Sequence, residues 1–126
     1  MEALDVDWQQ VRKLDDRIQR GEPLEFTADV RALLRRTAPT VAINEAEAET
    51  ALTQTGSTIA LLQLIRRRAD EGTHRLMRAL DAMYRLLKKG DVEGARQQMR
   101  DVLAVEVVPH FREMAEGELE KLDEPS

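Results

Sequence analysis

Between Ser57 and Lys89 two apolar series keep a seven-residue interval without losing phase. Leu62, Ala69, Leu76 and Met83 form one; Ile65, Gly72, Ala79 and Leu86 form the other, three positions on. Residues three, four and seven apart share a face of an α-helix, whereas a strand alternates sides every second residue. The pattern therefore predicts one helix over 57–89 with this stripe buried. Gly72 falls on the stripe, where glycine costs about 1 kcal/mol relative to alanine. A close crossing by another helix explains it; a break there is the rival reading. A stripe of this length also permits a coiled coil, but its small residues favour packing within the domain.

The flanks supply further helices. Trp8, Val11, Leu14 and Ile18 recur on one helical face, with Asp5 or Asp7 as the expected cap and Gly21 as the expected stop. Thr27 opens a short helix with Val30, Leu33 and Leu34 inward, closed by Pro39. Asn44 followed by Glu47 has the spacing of a reciprocal capping box, with Ala48, Ala51 and Leu52 behind it. Gly90-Asp91 reads as stop and start in two residues, which predicts an antiparallel hairpin into the next helix. That helix carries Val92, Ala95, Met99, Val102 and Leu103. The following stripe, Val108, Phe111, Ala115, Leu119 and Leu122, points roughly 150° away at 100° per residue. Pro109 removes a helical hydrogen bond to Val105, so a kink or break is expected there.

Composition agrees with helix. The 126 residues are 3% aromatic and 34% charged, leaving few sheet formers. A chain of this length buries roughly two-thirds of its unfolded surface. The expected fold is all-α: a compact antiparallel bundle of four to six helices around one long central helix. It forms a single domain over 1–126, with a core from about 7 to 122 and a frayed tail at 123–126. There is no cysteine, which excludes disulfides, thiolate nucleophiles and thiolate metal sites. Apolar runs such as Ile59–Leu62 fall far short of the roughly 20 residues of a membrane span. Met1–Gln10 is acidic and lacks a basic or apolar leader segment, so the expected setting is cytoplasmic, with no membrane.

No catalytic constellation emerges. His110 has Glu106 four residues before it and Glu113 three after, a spacing seen in zinc and di-iron sites. His74 lies among Arg75 and Arg78. Neither helix holds the acid and imidazole in the order a di-iron bundle needs, so both histidines are read as surface residues. Ser57 suits a helix N-cap better than a nucleophile elbow. Gly56 and Gly72 are isolated, so no phosphate loop exists. The acidic run at Glu45, Glu47 and Glu49 alternates at a spacing that does not share a helix face. No enzyme activity, cofactor or metal is expected.

Charge is segregated. Residues 1–56 hold 11 acids and 7 bases, 57–89 hold 3 and 8, and 90–126 hold 10 and 4. The basic side chains on the long helix, Arg66, Arg67, Arg68, Arg75, Arg78 and Arg85, form the candidate interaction surface. Pairing with the acidic helices of the same chain is the bland account. An acidic protein partner is the sharper one. Nucleic acid is disfavoured, because the chain as a whole carries −5 and no aromatic stack accompanies the bases.

Arg35-Arg36-Thr37, the segment Gly90-Asp91-Val92-Glu93-Gly94-Ala95-Arg96 onward to Pro109, and Ala115-Glu116-Gly117 carry a resemblance. With them the chain resembles the DUSAM domain family, a group of paralogous myxobacterial proteins, from about Trp8 to Leu122. The resemblance implies a compact helical domain of unknown function and carries over no catalytic residue or cofactor. The Lys-Gly-Asp joint is also similar to a tetratricopeptide hairpin, but no second copy follows at about 34 residues. The expected function is a non-enzymatic protein–protein interaction module, regulatory or neutralising. Its expected partners are an unidentified protein, acidic in the sharper version, or a second copy of the chain. A nucleic-acid-associated regulator is the alternative.

Overall fold

The computed structural model describes residues 2–124, all of them in helices or short connections, with no strand. Six α-helices follow one another: α1 Glu2–Gln19, α2 Ala28–Thr37, α3 Glu45–Ala51, α4 Thr55–Lys88, α5 Val92–Val105 and α6 Pro109–Asp123. A 3-10 turn, Pro39–Val41, links α2 and α3. The all-α expectation holds. At 34 residues, α4 is about 51 Å long and passes through Gly72 without a break. The chain clusters into two compact units that divide between Ala69 and Asp70.

In the N-terminal unit, α1 turns Trp8 and Val11 inward and α2 turns Leu33 and Leu34 inward. Leu62 and Ile65, from the stripe on α4, are fully buried in the same unit. The buried polar groups are satisfied. Trp8 Nε1 donates to Thr40 Oγ1 at 3.0 Å, Thr37 Oγ1 to Leu33 O at 2.8 Å, and Thr58 Oγ1 to Gln54 O at 2.8 Å. Helix α1 already runs at Glu2, so Asp5 and Asp7 lie inside it and cap nothing. The residues around them, Glu-Ala-Leu among them, are good helix formers, and nothing stops the helix at Asp5. Asp7 instead takes a two-pronged contact from Arg36, at 2.8 and 3.1 Å.

Several termini are as the sequence predicts. Gly21 sits at φ +86 just past α1, and the Glu22 amide donates back to Arg17 O at 3.0 Å. Thr27 Oγ1 accepts from the Val30 amide at 3.1 Å. Asn44 Oδ1 accepts from the Glu47 amide at 2.8 Å. The return half of that box differs: Glu47 Oε1 takes the Asn44 side-chain amide at 2.7 Å, not its backbone. Ser57 is no cap either. Helix α4 starts two residues earlier, at Thr55, and the Ser57 hydroxyl donates backward to Ala51 O at 2.6 Å.

The C-terminal unit holds the rest of α4 with α5 and α6. Gly90, at φ +81, ends α4 in a left-handed turn that an L side chain enters only under strain. The Asp91 amide donates to Leu86 O at 2.9 Å and the Gly90 amide to Leu87 O at 3.0 Å, which satisfies the last carbonyls of α4. Asp91 then caps α5 through Gly94 N at 2.8 Å. Leu76, Met83, Met99, Val102, Val108, Phe111 and Ala115 are buried. Val92, placed on the buried stripe by the sequence, is instead 39% exposed because it occupies the first turn of α5. The expected break is real: α5 ends at Val105 and Pro109 starts α6 at its first position, where a missing N–H leaves no bond unmade. Asp123, expected in the frayed tail, is the last residue of α6 and accepts from Arg96 Nε at 2.8 Å. Glu124 follows as the exposed C-cap residue, and the rest of that tail, 125–126, lies outside the described residues.

Candidate interaction surface

The six arginines of the candidate surface separate into two groups. Arg66 is half-buried and donates from one nitrogen to Asp16 at 2.7 Å and Asp15 at 2.9 Å. The bond to Asp16, above all, holds its guanidinium more firmly protonated than usual. Arg68 donates to Val41 O at 2.9 Å and Ala42 O at 3.3 Å, closing the 3-10 turn. Arg75 donates to Glu106 Oε1 at 2.8 Å. These three are fastened inside their own units. Arg67, Arg78 and Arg85 are exposed. Arg85 meets Asp81 one turn away at 3.0 Å, with both side chains well solvated. Arg67 and Arg78 have no ion pair among the described residues.

Arg75 reaches Glu106, whose spacing from His110 in the sequence points only to a possible metal ligand. Glu106 has a side chain 1% exposed. Its Oε2 accepts from the amides of Val107 and Val108, each at 3.0 Å, while Oε1 faces Arg75. Arg112 closes the joint from the other side, donating to Leu103 O and Glu106 O at 2.8 Å each. The three-residue gap between α5 and α6 is thus held by one carboxylate and two guanidiniums. An acid placed three residues before a helix-starting proline was the available signal.

The metal spacing seen around His110 is not assembled. Glu106 is committed to Arg75 and the two amides, His110 tilts against Phe111 at 5.5 Å, and Glu113 is exposed. No group of three or more His, Asp or Glu among the described residues is placed to hold a metal ion. His74, with Glu71, Arg75 and Arg78, borders a shallow cleft of about 400 Å³. A second cleft, about 280 Å³, lies between α4 and α5 and is lined by Arg75, Arg78, Gln98, Asp101 and Val105.

Large apolar side chains also reach solvent beside Arg78 and Arg85. Met77 is 62% exposed and Tyr84 53% exposed. They follow Leu76 and Met83 by one residue, so they repeat at the same interval while missing the buried stripe by 100°. That second series is legible in the sequence once the first is drawn.

No helix among the described residues is long and apolar enough to cross a membrane. No curated protein and no solved structure matches the chain. Residues 6–122 match the family model described as protein of unknown function DUF2379. With that match covering nearly all of the sequence, the chain belongs to this family of proteins of unknown function.

Proposed function

We propose that the protein is a non-enzymatic protein-interaction module, with a regulatory or neutralising role. One observation carries the reading. The exposed Arg78 and Arg85 of α4 stand beside exposed Met77 and Tyr84, while Arg75 on the same helix is tied to Glu106. Arginine, methionine and tyrosine together are the residues that interface cores enrich. The net charge of −5 supports a protein partner over a nucleic acid. We further read the chain as a DUSAM-type domain of myxobacterial kind. That resemblance is strongest over Gly90–Pro109, the segment whose glycine stop, aspartate cap and proline start delimit α5.

The test is quantitative capture from a lysate of the native host. Wild type is compared with a variant carrying Arg67→Glu, Arg78→Glu and Arg85→Glu, both checked for helicity by circular dichroism. The expected result is a protein retained by wild type and lost by the variant. Equal retention by both, or retention only of nuclease-sensitive material, would sink the reading.

A further inference from the structure

Two surfaces of the C-terminal unit carry opposite charge at one spacing. On α4, Arg78 and Arg85 stand seven residues apart, and Met77 and Tyr84 precede them by one residue each. Seven residues are nearly two helical turns, about 10.5 Å. A basic column, in which Arg85 also meets the exposed Asp81 at 3.0 Å, and an apolar column therefore run side by side, both exposed. On α6, Glu113 and Glu120 also stand seven residues apart, with Glu116 between them; all three are exposed and form no ion pair among the described residues. Met114, 43% exposed, lies next to them.

We propose that the α6 face of one molecule docks on the α4 face of a second copy. Glu113 and Glu120 then meet Arg78 and Arg85 in register, and Met114 covers the Met77 and Tyr84 column. This gives a partner to the interaction-module reading, on which it rests. A partner of unrelated sequence would satisfy the charge, but the shared seven-residue interval and the methionine beside the acids fit this chain's own helix. The two faces differ, so the contact is head to tail. Each assembled pair keeps one open face of each kind, and growth continues until a ring closes.

Sedimentation velocity over a concentration series reads this directly, at about 20 mM and about 1 M salt, where screening lengths differ severalfold. At low salt the wild-type coefficient is expected to rise with concentration beyond the dimer, and at high salt to return to the monomer. The double variants Arg78→Glu/Arg85→Glu and Glu113→Arg/Glu120→Arg are each expected to associate more than about tenfold more weakly. An equimolar mixture of the two regains association, because each supplies the charge the other reversed. Glu25→Arg/Asp29→Arg, two exposed changes in the N-terminal unit that shift net charge by the same four units as the acidic-face variant, leaves association as in wild type. Circular dichroism confirms that every variant is folded. A wild type that stays monomeric at low salt, or double variants that associate like wild type, would overturn the proposal. A monomer that still retains a foreign protein through its arginines overturns it while leaving the interaction-module reading in place.

Discussion

Glu106 is the carboxylate that ties the joint between α5 and α6. A carboxylate taken out of water needs partners for its lone pairs, and here it has Arg75 and two backbone amides. Glu106→Ala strands a part-buried guanidinium and two amides at once. Urea unfolding is expected to show a loss of about 2–4 kcal/mol, below the largest buried-pair effects because Arg75 keeps some solvent. A change under about 0.5 kcal/mol would mean the clamp is not formed. Gly72 is the other critical residue. A Cβ built there lies 2.6 Å from Phe111 Cε2 and closer still to Cδ2, with Glu106 Oε1 at 3.0 Å. Alanine improves helix propensity by about 1 kcal/mol, yet the ring has to move. Gly72→Ala is therefore expected to destabilise by roughly 1–3 kcal/mol, with Phe111→Leu in the same chain recovering part of that loss. A stabilised Gly72→Ala would show that α6 does not cross there.

At the scale of elements, the legible features were those written in short, local codes. The buried heptads of α4, the Thr27 and Asn44 caps, the glycine stops and the proline break each rest on residues within one or two turns of one another. What escaped depends on distant partners. Asp7 looks like a cap until Arg36, far along the chain, claims it. The arginines of α4 look alike in sequence, and only the folded chain separates Arg68, held by carbonyls of the 3-10 turn, from Arg67 in solvent. Gly90 offers an element-scale test. Its φ of +81 is unfavourable for any L residue, and a methyl group added there would meet no neighbour whose contact could compensate. Gly90→Ala should lower stability by about 1 kcal/mol in thermal or urea unfolding, and Asp91→Ala should remove a comparable amount through the lost α5 cap. An unchanged midpoint for both would contradict the turn described.

At the scale of the whole molecule, exposed ion pairs contribute to the acid limit of stability. Glu22 is held below the usual carboxylate range chiefly by its bond from Arg20, Glu49 by that from Arg35, and Glu93 by that from Arg100. A carboxylate that titrates lower when folded contributes stability above its unfolded value, near pH 4.3, and loses it as pH falls through the folded value. Melting temperature should thus be nearly level between pH 7 and about pH 5 and fall below about pH 4.5. Glu49→Gln should make that fall shallower, and an identical acid limb would show that the Arg35 pair does not persist in solution. The fold depends on α4 being one helix whose heptad stripe is buried from Leu62 to Met83. Backbone NMR tests this most directly. Helical carbon shifts without interruption from Thr55 to Lys88, with slow amide exchange from Ala69 through Leu76, are the expected result. Coil shifts and rapid exchange at Glu71, Gly72 and Thr73 would contradict it.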